Sequence, residues 1–260
     1  MGISGNIFSV HNLSFSYKDN PVLNNVSCVF EPGKLTVILG RNGSGKSTLL
    51  RLMAGLLEPD SGSIMLGESP LKSIPLARRS RIFGFMSQRH QAVFPFRIHE
   101  VVLTGRAGAV RFTPSVKDKE AAARAIERMG ISPLFNRYYT ELSGGEQQLV
   151  MIARVLAQEP EILLLDEPAS SLDFSNQIHL MKTLKELTAG GLTVIAVLHD
   201  PNTAFQYGDD FAFLRNGQLE KPGNDVSSDF LTSIFETPVE VISHNKKSII
   251  IPKSEKNDLR

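Results

Sequence analysis

Hydrophobic and polar side chains alternate over residues 8–15, the period-2 pattern of a strand with one covered face. A second such stretch, 22–30, follows the turn Asp19-Asn20-Pro21. Three shorter runs, 35–39, 162–165 and 193–198, are apolar almost throughout and rich in Ile, Val and Leu. Strands buried on both faces, as in parallel sheets, carry that signature. A further strand is expected over 82–87. Helical spacing marks residues 47–57, which stop at the turn cluster Pro59-Asp60-Ser61-Gly62. It marks 117–129, ending at Gly130, and 149–157, following a Gly-Gly pair. It also marks 176–187, ending at Gly190-Gly191. Mixed strands, then strand-loop-helix, then a helix-rich middle, then alternating strands and helices predict an α/β domain over 1–243. A helical portion is inserted at about 89–142. A C-terminal tail, 244–260, is rich in Lys, Ser, Asn and Glu, and its Ile249-Ile250-Ile251 predicts an edge strand.

Composition changes this picture little. Of 260 residues, 42% are apolar and 21% charged, as in ordinary globular chains. A net charge of +1 supplies no field that would draw in nucleic acid or an anionic bilayer. The single cysteine, Cys28, falls in an apolar strand and reads as a small core residue. The first residues do not read as a secretory signal, and no apolar run approaches the roughly 18 residues that span a bilayer. A membrane role would come through a partner.

Chemistry enters at residues 40–48, Gly40-Arg41-Asn42-Gly43-Ser44-Gly45-Lys46-Ser47-Thr48. This is the Gly-x4-Gly-Lys-Ser/Thr phosphate loop, with a strand before it and a helix after it. Gly40, Gly43 and Gly45 let backbone amides close around phosphate oxygens, with Asn42 and Ser44 between them. Lys46 would reach the β- and γ-phosphates, the Ser47 hydroxyl would ligate Mg²⁺, and Thr48 continues the helix start. The second element is the run 162–165 followed by Asp166-Glu167-Pro168. Ligands sit at the carboxyl ends of strands in open α/β sheets, so Asp166 would hold the Mg²⁺ shell. Glu167, one residue on, is free to polarise an attacking water. Neighbouring carboxylates with separate duties suit hydrolysis rather than storage of a nucleotide.

Leu142-Ser143-Gly144-Gly145-Glu146 precedes a helix, and the acidic strand end follows about twenty residues later. Phosphate loop, this run and acidic strand, in that order, resemble the ATP-binding subunits of ABC transporters over nearly the whole chain. The resemblance implies a P-loop NTPase (RecA-like) core with an antiparallel β-subdomain and an inserted helical subdomain. It implies that Tyr17 stacks on adenine and that Gln88 senses Mg²⁺ and water. It implies that Ser171-Leu172-Asp173 is the D-loop and that His199 contacts the γ-phosphate. It further implies a head-to-tail homodimer, in which each ATP lies between the phosphate loop of one copy and Ser143, Gly144 and Gly145 of the other. ATP and Mg²⁺ are the expected ligands, Glu167, His199 and Gln88 the catalytic set, and Ser47, Gln88 and Asp166 the metal set.

Residues 94–106, Phe94-Pro95-Phe96-Arg97-Ile98-His99-Glu100-Val101-Val102-Leu103-Thr104-Gly105-Arg106, narrow the resemblance. With His199-Asp200-Pro201-Asn202 and Leu172-Asp173-Phe174-Ser175-Asn176-Gln177, they look like importers of metal chelates: iron-siderophore, haem and vitamin B12. Such a subunit acts on the cytoplasmic face of the cell membrane with integral permease subunits and a substrate-binding protein. Molybdate or tungstate importers look similar, and a regulatory ATPase uncoupled from transport is the least specific alternative. DNA-acting relatives carry a coiled coil between phosphate loop and signature, for which residues 46–143 are too short. A guanine-reading Asn-Lys-x-Asp motif is absent from the sequence. The other histidines show no metal-ligand spacing.

Overall fold

A computed structural model describes residues 7–87, 95–108, 113–223, 226–244 and 247–253. In chain order the first elements are β1 (Phe8–Tyr17), β2 (Asn20–Phe30), β3 (Leu35–Leu39) and α1 (Lys46–Met53). Next come β4 (Ser61–Leu66), β5 (Ser69–Pro70), α2 (Leu76–Ile82), β6 (Phe83–Met86), α3 (Ile98–Leu103), α4 (Val116–Arg128) and α5 (Gly144–Ala157). Then follow β7 (Ile162–Asp166), α6 (Phe174–Ala189), β8 (Thr193–Val197), α7 (Pro201–Tyr207), β9 (Asp210–Arg215) and β10 (Gln218–Glu220). The chain ends with α8 (Ser228–Phe235), β11 (Val239–His244) and β12 (Lys247–Pro252).

The central sheet runs β10-β9-β3-β8-β7-β6, parallel except for the edge hairpin β9–β10. Its apolar strands split their side chains between two cores. Val37, Leu39, Leu163, Leu165, Val194, Ala196, Phe211 and Phe213 join the core beneath the helices. Their neighbours Ile38, Ile162, Leu164, Ile195, Val197, Ala212 and Leu214 join the core beneath the second sheet. Strands covered on both faces have no polar side to show, which is why the sequence runs are unbroken. The second sheet, β2-β1-β4-β5, is antiparallel and carries the alternating strands. Its inward residues Phe8, Val10, Leu13, Leu23, Val26 and Phe30 pack with α1 residues Leu49, Leu50 and Met53.

The helix expected over 47–57 ends at Met53. Two further boundaries differ from expectation for physical reasons. Apolar spacing predicts a helix from 149, but α5 starts at Gly144. Ser143 and Glu146 form a reciprocal capping box there, and that cap outweighs the poor helix propensity of two glycines. Residues 249–251 lie in β12, which pairs with β11 and packs on α7, so a tail boundary at 244 divides a hairpin.

Between β6 and β7 the described chain is helical, and α3 and α4 both pack on α5. Arg106, just after α3, ties this region together. Its Nε donates to Asp118 Oδ1 at 3.0 Å, and its Nη1 donates to Ala157 O at 3.0 Å and Glu159 Oε2 at 2.9 Å. Asp118 also accepts from the Ser115 hydroxyl at 2.6 Å and the Ser115 amide at 2.9 Å, capping α4. The Ser115 hydroxyl, then its amide, then Arg106 hold the Asp118 carboxyl down at about 2. A carboxyl held below its unfolded value of about 3.9 stabilises the folded chain above about pH 4, and that gain is lost as pH falls through 2. Ser115→Ala is expected to raise the Asp118 pKa by about one unit and to move the acid-unfolding midpoint upward. Carboxyl NMR titration reads the first effect, and an unmoved Asp118 resonance would remove Ser115 as the cause.

Candidate functional site

Parallel register brings the ends of β3, β7 and β8 to one edge of the sheet: Ile38 pairs with Val197, and Val197 with Asp166. The phosphate loop leaves β3 at Gly40, whose φ is +150°. A Cβ there would lie 2.2 Å from Leu214 O, so the loop needs glycine at that point. Ser44 N–H donates to Arg41 O at 3.2 Å, closing the turn. Lys46 Nζ donates to Gly40 O and Arg41 O, 2.8 Å each, and draws the loop around its own ammonium. Lys46 is 5% exposed, and burial pushes its pKa down against the upward pull of Glu167 and Asp166. The Ser44 hydroxyl is buried without a hydrogen-bond partner. A cradle with a buried cation and an orphaned hydroxyl fits the oxygens of a phosphate.

Ser47 Oγ donates to Asp166 Oδ1 at 3.0 Å. Asp166 is 1% exposed, and burial raises its pKa, offset in part by the Ser47 bond. Two adjacent ligands of an octahedral Mg²⁺, each at about 2.1 Å, lie about 3.0 Å apart. The Ser47–Asp166 pair has that spacing and that hard-oxygen chemistry, so it fits the ion. Among the described residues no group of three or more His, Cys, Asp or Glu side chains is placed to hold a metal. Mg²⁺ commonly takes one or two protein ligands and completes its shell with phosphates and water.

Glu167 departs from β7 in a left-handed conformation, φ +54°. That costs a non-glycine residue on the order of 1–3 kcal/mol, and its surroundings must hold it there. Its N–H donates to Val197 O at 3.1 Å, and its carbonyl accepts from Gln148 Nε2 at 3.2 Å and Ser170 Oγ at 3.0 Å. Glu167 Oε1 ends 2.5 Å from His199 Nε2. Tyr17, Asn42, Gly43, Gly45, Lys46, Ser47, Thr48, Glu167 and His199 line one cleft of about 460 Å³. The Tyr17 ring, 43% exposed, stands at its edge against Phe15.

Ser143, Gly144 and Gly145 do not line that cleft. They form the start of α5, where Ser143 and Gly144 are exposed, Gly145 is half-buried, and a Cβ on Gly144 would meet nothing within 4 Å. Gln88 lies outside the described residues. Gln148 is a contributor that the sequence reading missed. It is buried on α5 and bonded to the Glu167 carbonyl, and it follows Glu146 and Gln147 just before the apolar run, so nothing local set it apart.

A family model described as ABC transporter matches residues 23–170, more than half of the 260 residues. The chain belongs to the ABC transporter family. It is an ATP-binding cassette of the ATPase type, and it resembles the metal-chelate importer group. An uncharacterised ABC transporter ATP-binding protein of Methanocaldococcus jannaschii is 36% identical over 218 residues, covering 84% of this chain and 85% of that one. The hemin import ATP-binding protein of Burkholderia lata is 38% identical over 239 residues, covering 84% and 88%. Among solved structures, a metal-chelate type ABC transporter in an inward-facing conformation superposes with a TM-score of 0.82 at 28% identity, over 96% of this cassette and 98% of that chain. A dimeric ATP-binding cassette in a post-hydrolysis state, bound to ADP and Pi, gives 0.74 at 28% identity, over 84% and 100%.

Proposed function

We propose that this cassette is the ATP-hydrolysing subunit of an importer that takes up a metal chelate of the haem, iron-siderophore or cobalamin class. It works as a homodimer with integral permease subunits on the cytoplasmic face of the cell membrane, fed by a substrate-binding protein. The observation that carries the dimer is the separation of the two half-sites. The cleft holds the phosphate loop, Glu167 and His199, whereas Ser143, Gly144 and Gly145 lie outside it, the first two of them exposed. A second copy turned head to tail brings its α5 start, with the Gly144 and Gly145 amides and a positive dipole end, onto the γ-phosphate. No described helix is long and apolar enough to cross a membrane, so translocation falls to a partner. The hemin-import relatives and the metal-chelate transporter support the cargo class.

In this reading Tyr17 stacks on the adenine, and the phosphate-loop amides with Lys46 hold the β- and γ-phosphates. Ser47 and Asp166 would hold Mg²⁺, which would supply neutralisation of phosphate charge. Glu167 takes a proton from the attacking water, and its fixed backbone aims the carboxylate for in-line attack. His199, bonded to Glu167, meets the γ-phosphate, and Gln88 reports the state of the site to the permease. Loss of the γ-phosphate removes the contact that joins the two copies.

Purification of the tagged protein from native membranes in mild detergent, with mass spectrometry of its companions, tests the transport reading. A permease with many apolar spans is expected, with a neighbouring metal-chelate binding protein. Only soluble companions, from a preparation whose membrane complexes are intact, would end the transport reading and leave the ATPase standing.

A further inference from the structure

The bend that carries His199 is held from behind by the last strand of the described chain. His199 lies between β8 and α7, and its side chain is 43% exposed. α7 has only seven residues and cannot fix its own orientation. Asp200 caps it, accepting from Asn202 N at 3.1 Å and Thr203 N at 2.8 Å. Of its residues only Ala204 is fully buried.

Asn202, in the first turn, reaches β12 with both ends of its carboxamide. Nδ2 donates to Ile250 O at 3.1 Å, and Oδ1 accepts from Ile250 N at 2.8 Å. The paired bonds fix which end of the amide is which, and they mimic one rung of a strand ladder on an edge strand. Lys247 Nζ adds a bond to Gln206 O at 2.6 Å, so β12 grips α7 near both ends. β11, its partner, is tied to α8 through Val239 N to Thr232 Oγ1 at 3.1 Å and Val241 N to Ser228 Oγ at 2.9 Å.

We propose that Asn202 is a positioning residue for ATP hydrolysis: by clamping α7 to β12 it aims His199 at Glu167 and the nucleotide cleft. The proposal rests on the reading of His199 as the side chain that meets the γ-phosphate. Asn202 does not line the cleft, so it acts only through the bend. A reacting group displaced by about 1 Å can lose roughly 100-fold in rate.

The test is a double-mutant cycle on the full chain, reading kcat and KM for ATP in Asn202→Ala, His199→Ala and the double variant. Asn202→Ala is expected to lower kcat about tenfold and to leave KM within about twofold. In the His199→Ala background it is expected to change nothing further, because its route of action is already gone. Asn202→Asp keeps the shape and the bond from Ile250 N but sets a carboxylate against Ile250 O. It should reproduce the loss, and it carries the test if the alanine variant fails to fold. An equal fold-loss from Asn202→Ala in both backgrounds would overturn the proposal, as would wild-type kcat in both Asn202 variants beside an impaired His199→Ala. Full turnover by His199→Ala would remove the His199 role and the proposal with it, a result distinct from either.

Discussion

Glu167→Gln is expected to lower ATP turnover by about 1,000-fold while leaving ATP bound, and the bound form should accumulate as a dimer. The substitution preserves volume. The bonds that hold the left-handed backbone run through the N–H and carbonyl of residue 167, so they survive. A hydrogen-bonding oxygen remains for His199, but the amide cannot accept the proton that water must shed. In the proposed reading ground-state binding belongs to Lys46, Ser47 and Tyr17, none of which changes, so KM and the ATP dissociation constant should hold while kcat falls. That pattern marks a group that acts in the transition state. Phosphate release reads the turnover, and light scattering with ATP present reads the assembly. A variant that hydrolyses at the wild-type rate would take the general-base role from Glu167. A variant that binds ATP and stays monomeric at every concentration would overturn the shared-site dimer.

The extent to which sequence revealed this site follows from what periodicity can encode. Residues 35–39, 162–165 and 193–198 were legible as buried strands because both faces are apolar, and the structure divides their side chains between two cores. Once those strands are parallel, the loop after Leu39, the pair Asp166-Glu167 and His199 must share an edge. The meeting of Lys46, Ser47, Glu167 and His199 in one cleft therefore follows from topology. Strand order itself carries no local signal. Nothing in residues 83–86 says that they pair with β7 at the edge.

Capping shows the opposite failure. The pattern Ser143-x-x-Glu146 was present, yet the apolar spacing begins only at Leu149, and the helix start was placed five residues late. Long-range polar bonds were invisible. Gln148 to the Glu167 carbonyl spans 19 positions and Asn202 to Ile250 spans 48, and no spacing rule links such pairs. These bonds set the backbone of Glu167 and anchor the turn after His199. Several residues that line the cleft were therefore readable in the sequence, whereas the supports that hold them required the fold.

Lys46→Ala is the second large effect, and its two readouts should separate. The Lys46 ammonium reaches two loop carbonyls, and among the described residues that line the cleft Lys46 is the one Lys or Arg. A hydrogen bond to a charged partner contributes roughly 1.5–3 kcal/mol, so ATP affinity should fall between about 10- and 150-fold. Stability of the nucleotide-free protein should change much less. Burial already works against the Lys46 charge, so removing it relieves desolvation even as it leaves Gly40 O and Arg41 O short of a donor. The two consequences oppose each other in the empty cassette and only the loss remains in the ATP complex. Thermal unfolding therefore discriminates: the midpoint without nucleotide should stay close to wild type, while the rise on adding ATP should largely disappear, since that rise scales with the logarithm of ligand concentration over dissociation constant. An ATP-dependent rise equal to wild type would show that Lys46 does not hold phosphate, and the assignment of the loop would fall with it. A large drop without nucleotide would mean that the two carbonyl bonds outweigh the buried charge, and Lys46 would then be first a fastener of the loop.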